Sequence, residues 1–332
     1  MQARQINLLS ISSLLIIFIT CLLFGLNLQA DEQRLNTHNE ASNETKNEAK
    51  SETQIQQCVT KGKWLLPDSG KTISTEQYLP SIYNKNVILL GEHHANQSHH
   101  DWQLLLLKKL HSKNPHIVIG LEMFPRRKQA LLDKWINKDI DQNEFIKASE
   151  WDEIWAFDFN QYLPLLTFAR EKGIPLVAIN VDKSLLKMVG KHGWENIPQQ
   201  HRLGIGDPAK PGKSYVRQLA TSFQGHYEDP SKISKQAFLR FVQQQLLWDR
   251  AMAEGLSAAR NNSPDKQIVG IVGSWHIING HGIPHQLKSL GINDSLSLVP
   301  WDEHLNCSSI NQEFADAIYG PPDYEAVTIS SD

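Results

Sequence analysis

The sequence predicts an α/β fold: a mostly parallel central sheet flanked by helices, with a helical insertion and a flap. Two observations carry that expectation. First, five short apolar runs, at residues 87–90, 117–121, 176–179, 268–272 and 296–299, are separated by stretches of helical periodicity. Strands that alternate with helices pair in parallel through crossover connections, and runs without polar alternation are strands buried on both faces. Second, polar groups follow each run: Glu92 and His94, then Glu122, then Asn180 and Asp182, then His276, then Trp301 and Asp302. Such groups are costly in a core, and ligands of parallel sheets bind at the carboxyl ends of the strands. These residues are therefore expected to converge on one crevice.

Taken in order, the chain begins with Arg4 and a mainly apolar stretch at 6–28, and Leu28, Gln29 and Ala30 ahead of Asp31 form a small-residue cleavage site. Residues 1–30 are expected to be a signal peptide or a membrane anchor, because the stretch reaches the ~20 residues of a span. Cys21 is a candidate for lipid attachment, although Thr20 before it is bulkier than usual. Residues 31–57 hold almost no large apolar side chain, cannot offset their ordering entropy, and are read as a disordered polar tether. The folded domain is placed at 58–310 and a C-terminal tail at 311–332. Cys58 and Cys307 stand at its two ends. In an oxidising compartment they would pair and suit a domain with adjacent termini; two unpaired thiols are the alternative. A formal net charge of -3 and the lack of a basic block exclude nucleic acid as the main partner.

Within the domain, Gly91 ends the first strand, and Ser98 with Asp101 three positions later is read as the cap of a helix running through Trp102 towards His111. Residues 126–169 read as helical, with Trp151, Trp155, Phe157, Phe159 and Tyr162 as core. Residues 188–227 are rich in Gly, Pro, Lys and His without periodicity, which marks a flap or lid carrying Tyr215, His226 and Tyr227. A helix over 235–260 places Gln245 and Asp249 on one face, where they are expected to form a hydrogen-bonded surface pair.

Two stretches share one form: Gly91-Glu92-His93-His94 and Gly273-Ser274-Trp275-His276 each set a histidine three residues after a strand-ending glycine. With Glu122 they make His94, His276, Glu92 and Glu122 a candidate site for zinc, manganese or iron, able to polarise a carbonyl or acidify a bound water. No HExxH helix and no GxSxG elbow is present. His99 and His100 start a helix and either pack or contact a ligand. His281, between Gly280 and Gly282, serves either turn chemistry or a ligand.

In combination LLGEHHANQSHHDWQ, IGLEMF, IWAFDFNQYLPLL, AIN, QLLWDRAMA and GSWHIINGHGIP resemble the ChaN-like haem-binding uptake family. That family is similar in turn to the wider group of Tiki proteases, TraB proteins and erythromycin esterases, marked by two GxxH-type motifs and a glutamate. The resemblance implies an iron-regulated envelope protein that binds haem, as a homodimer with haem between subunits, and an outer-membrane haem or iron receptor as a further partner. It also implies a tyrosine on the iron with histidine and lysine near the propionates. Tyr215 in the flap, with Lys210, Lys213 and His226 nearby in sequence, is the candidate set, joined by His93, His100 and His281 as haem contacts. The protein is thus expected in the periplasm, soluble after cleavage or tethered by its N-terminus. A metal-dependent hydrolase, with Glu92 or Glu122 as general base, is the alternative.

Overall fold

The computed structural model describes residues 58–225, 234–302 and 305–322. The signal or anchor segment, Cys21, the polar tether and His226 lie outside them. The chain divides into two compact units. One, Met1–Gln56 with Thr221–Ile233, is described only over residues 221–225; the other, Gln57–Ala220 with Ser234–Asp332, holds everything that follows.

The second unit is built on one eight-stranded sheet. Its strands are β1 (Trp64–Leu66), β2 (Lys71–Ile73), β3 (Val87–Glu92), β4 (Ile117–Pro125), β5 (Leu176–Asn180), β6 (Gln267–Gly273), β7 (Ser295–Pro300) and β8 (Ala317–Tyr319). Their spatial order is β2-β1-β8-β7-β3-β6-β4-β5. The six strands from β8 to β5 run parallel, and β1 pairs antiparallel with both β2 and β8. Every residue of β3, β4 and β6 is buried, as the unbroken apolar runs require of strands covered on both faces.

The helices are α1 (Thr75–Tyr83), α2 (Gln97–Lys113), α3 (Gln129–Ile136), α4 (Gln142–Ser149), α5 (Trp151–Ile154), α6 (Phe159–Lys172), α7 (Lys183–His192), α8 (Lys213–Gln224), α9 (Lys235–Asn262) and α10 (Gly282–Ser289). Leu106, Leu110, Trp135, Phe145 and Leu166 belong to the core on one side of the sheet, and Met252, Leu256, Ile283 and Leu287 to the core on the other. Among the described residues no helix is long and apolar enough to cross a membrane.

Several expectations need correction. The expected five strands are present, but β1, β2 and β8 join them; each has three residues, too few to show as a periodic run. Because β8 is a strand of the sheet, the domain extends past residue 310, where its end was placed. Cys58 and Cys307 form a disulfide across a separation of 249 residues. The pairing of β1 with β8 brings the two ends of the domain together, and Gly62 N–H donates to the Gly320 carbonyl at 2.7 Å. Helix α2 is capped by Asn96, not Ser98; the Asn96 side chain accepts from Ser98 N–H at 3.0 Å.

Residues 126–169 are not one helical run. Left-handed residues at Lys138, Glu150 and Ala156 break the stretch into short helices. An alanine in that conformation carries steric strain of about 1 kcal/mol that glycine lacks. Ala156→Gly is therefore expected to stabilise the protein by about 0.5–1 kcal/mol, read as a rise in thermal midpoint; a fall would show that the turn is held otherwise.

The flap is also corrected. Trp194, Ile197, Ile205, Tyr215 and Leu219 are buried, and the unpatterned loop between α7 and α8 is pinned by its backbone. Gly206 N–H donates to Glu254 at 3.0 Å and Ala209 N–H to Gln286 at 2.8 Å. Lack of periodicity here reflects irregular but packed backbone; Tyr227 lies outside the described residues.

Candidate functional site

The carboxyl ends of β3, β4 and β6 hold the acids and imidazoles that the sequence placed there. Glu92 is the last residue of β3 and sits in register with Gly273, the last of β6. Glu122 lies on β4 where its pairing with β5 shifts register between Leu121 and Pro125. His94 follows β3 by two residues, and His276 closes a single 3-10 turn, Ser274–His276, directly after β6.

The side chains form a closed network. His94 Nδ1 is 2.8 Å from Glu92 Oε1, which also accepts from the Tyr162 hydroxyl at 2.7 Å. His276 Nδ1 is 2.6 Å from Asp249 Oδ1, and the Tyr215 hydroxyl donates to Asp249 Oδ2 at 2.6 Å. Glu122 stands between the two imidazoles: Oε2 accepts from Gly273 N–H at 2.6 Å, and Oε1 is 3.5 Å from His276 Nε2. The absence of a Cβ at Gly273 makes room for this, since one would stand 3.0 Å from His94 Cε1. Trp155 and Phe157 flank the His94 ring, with centroids 4.7 and 5.0 Å away.

Burial penalises every charge in this network, and pairing decides the outcome. Burial pushes the Glu92 carboxyl up, but the neighbouring His100 and His94 and the Tyr162 hydroxyl together draw it down to about 2. Burial pulls His94 down, and the carboxylates of Glu92 and Glu122 more than reverse it, so His94 is raised. His276 is raised in the same way by Glu122 and Asp249. Tyr215 and Tyr162 are pushed well up by burial and by the adjacent carboxylates, which keeps both phenols protonated.

His99 behaves oppositely. It is buried, its Nδ1 accepts the His93 backbone N–H at 2.9 Å, and burial drops its pKa to about 4. Unfolded histidine titrates near 6.5, so the unfolded chain binds more protons between those values. The neutral-His99 contribution is complete above pH 6.5 and lost as pH falls towards 4, at most about 3 kcal/mol. His99→Gln is expected to flatten the loss of urea midpoint between pH 7 and 4.5; an unchanged slope would exclude His99 as its source.

The divalent metal expected at His94, His276, Glu92 and Glu122 gains no support. Among the described residues no three His, Cys, Asp or Glu side chains are placed to hold a metal ion. Glu92, His94, Glu122 and His276 are brought to one end of the sheet; Glu92 Oε1, His94 Nδ1, Glu122 Oε2 and His276 Nδ1 are hydrogen-bonded, while Glu92 Oε2 and Glu122 Oε1 are buried without a hydrogen-bond partner. The Gln245–Asp249 surface pair is corrected too: Asp249 is fully buried and is the second carboxylate of His276. An acid between Leu246, Leu247, Ala251 and Met252 on α9 was the available signal. Tyr162 was read as core, which it is, but its hydroxyl also serves Glu92.

Of the expected haem contacts, His93 is exposed at the carboxyl end of β3, and His100 is buried against Tyr162 with ring centroids 4.3 Å apart. Lys213 is exposed at the start of α8, and His281 is half-buried with its ring 5.1 Å from that of Tyr215. Tyr215 is not on a flap surface: it is buried, and its phenol proton is directed at Asp249.

Residues 79–287, close to two thirds of the chain, match the family described as haem-binding uptake, Tiki superfamily, ChaN. The chain belongs to this ChaN family. The matched span holds β3 to β6, both GxxH-type turns and Asp249. The fold is similar to that in a structure of cofacial heme binding to ChaN of Campylobacter jejuni, with a TM-score of 0.62 at 20% identity, covering 77% of this chain and 95% of that one. An erythromycin esterase mutant, EreC, in its open conformation is similar at a TM-score of 0.41 and 12% identity, covering 72% and 76%. The type III effector HopBA1 is similar at a TM-score of 0.42 and 13% identity, covering 74% and 92%. No curated protein matches the chain. As the alternating apolar runs predict, the sheet is mostly parallel and helix-covered.

Proposed function

We propose that this protein binds haem for uptake in the cell envelope, at the carboxyl-end rim of its sheet. The observation that carries this reading is membership of a haem-binding uptake family over the span that builds that rim. The rim also fits the ligand. Trp275 is 55% exposed and Phe157 half-buried, which offers flat apolar surface to a porphyrin, and imidazole nitrogen stands beside them. Bound there, haem would supply iron as cargo, and the protein's part is to hold it and shield it. Export is supported by the apolar stretch at 6–28 and by the disulfide, which belongs to an oxidising compartment. A homodimer with haem between its subunits is part of the reading, supported by the cofacial arrangement in the Campylobacter jejuni protein.

Titration of the purified protein with haemin tests the reading. A saturable Soret band with a rise in mass by size exclusion is the expected result, and purely non-specific, unsaturable binding would overturn it.

One observation favours a second reading, a hydrolase. His94 and His276 are each fixed at Nδ1 by a carboxylate and flank Glu122, an arrangement suited to giving and taking protons. Its side chains are nearly closed to water. Ester or amide cleavage abolished by His276→Gln would support it.

A further inference from the structure

Among the described residues the sheet has two edges, β2 and β5. A strand edge is a row of backbone donors and acceptors open to any extended chain. β2 is a poor template: it has three residues, and Lys71 and Thr72 are exposed on it. Short edge strands and edge lysines both oppose pairing between molecules. β5 has neither device. Leu176-Val177-Ala178-Ile179-Asn180 is uncharged and free of glycine and proline, the composition of segments that pair with copies of themselves.

The backbone shows which groups of β5 are at issue. Ile119 N–H donates to the Pro175 carbonyl at 3.0 Å, and Gly120 is the register partner of Val177, so the odd-numbered residues of β5 turn their backbone groups to β4. The backbone groups of Leu176 and Ala178 face away from the sheet. There they meet a single side chain. Gln129 Nε2 donates to the Leu176 carbonyl at 2.8 Å, and Gln129 Oε1 accepts from Ala178 N–H at 2.8 Å. A side-chain amide has the carbonyl and N–H of a peptide unit, so it makes the two bonds that one residue of a further strand would make.

We propose that Gln129 stands in the place of a ninth strand and closes the β5 edge against pairing with the same edge of a second copy of this chain. This role does not depend on what the rim binds.

Gln129 is fixed for that task. It is the first residue of α3, whose Leu132 and Trp135 are buried in the core. Its other Nε2 proton is given to Asp133 Oδ1 at 2.9 Å. The amide therefore cannot turn over: turned, it would set Nε2 against Ala178 N–H and Oε1 against both a carboxylate and the Leu176 carbonyl. The partner that the edge fits is a second copy, because two β5 strands related by a two-fold axis present the same backbone groups to each other. With no charged residue in either strand, no like charges stand opposite each other.

The test is the mass of the protein in solution without haemin, by size exclusion with light scattering at rising concentration, together with hydrogen exchange of the Ala178 amide. The wild type is compared with Gln129→Ala, Gln129→Asn, Gln129→Glu and Gln244→Ala. Gln244 is the control: it too is half-buried and holds backbone, donating to the Leu186 carbonyl at 2.9 Å, but it joins α9 to α7 and touches no strand edge. Gln129→Ala is expected to give a species of twice the wild-type mass that grows with concentration. In dilute solution its Ala178 amide is expected to exchange about tenfold faster, the scale of one lost hydrogen bond. Gln129→Asn is too short to reach both groups and is expected to associate in the same way, which decides the matter if Gln129→Ala fails to fold. Gln129→Glu keeps an acceptor for Ala178 and puts a negative charge on the edge, so it is expected to hold the wild-type mass. Wild-type mass at every concentration in Gln129→Ala and Gln129→Asn would overturn the proposal. Equal association by Gln244→Ala or Gln129→Glu would overturn it as well, since lost stability and not an open edge would then be the cause.

Discussion

Asp249→Ala is expected to destabilise the protein by about 3–5 kcal/mol, the scale for removing one partner of a buried ion pair. Asp249 is fully buried and accepts from both Tyr215 and His276. Without it the raised His276 imidazole keeps only Glu122, and the Tyr215 hydroxyl loses its acceptor inside the core, where an unmet donor costs about 1–3 kcal/mol. Asp249→Asn, which retains an oxygen for Tyr215, is expected to lose clearly less. Urea unfolding at neutral pH measures both. A cost under about 1 kcal/mol for Asp249→Ala would show that α8, α9 and the turn after β6 are held together by apolar packing alone.

Loss of the Cys58–Cys307 disulfide is the second large effect. The bond closes a separation of 249 residues, so it removes much freedom from the unfolded chain. The chain-entropy account gives about 5 kcal/mol for a loop this long, and measured cases centre on about 2–4 kcal/mol. The double variant Cys58→Ser, Cys307→Ser is expected to melt roughly 5–15 °C lower than the wild type, at about 2–4 °C per kcal/mol for a domain of this size. Reducing agent should lower the wild-type midpoint to the same value and leave the variant unmoved. If reductant shifts neither protein, the bond does not form in solution.

How much of this was legible in the sequence depends on whether a feature is local. The runs that became β3 to β7 announced themselves because full burial leaves no polar alternation, and Glu92, His94, Glu122 and His276 followed because an acid or imidazole after such a run has only the strand-end crevice to enter. What failed was partnership at a distance. Asp249 looked like a surface residue because its partners, Tyr215 and His276, lie 34 and 27 positions away. The same blindness turned Tyr215 into a flap residue. β1, β2 and β8 are too short for any pattern and exist because the edge of the sheet, not their own sequence, orders them.

The edge pairing also decides which way the molecule faces. β1 runs antiparallel to β8, so Trp64, where it begins, pairs with Tyr319, and Lys61 bridges to Gly320 beyond. β8 is parallel to β7 and β7 to β3, which puts both the arrival of the chain at Cys58 and its departure after Gly320 at the carboxyl end of the sheet. That is the end carrying His93 and Trp275, and β8 stands two strand spacings, about 10 Å, from β3. The chain therefore enters and leaves the described fold at the end of the sheet that gathers Glu92, His94, Glu122 and His276.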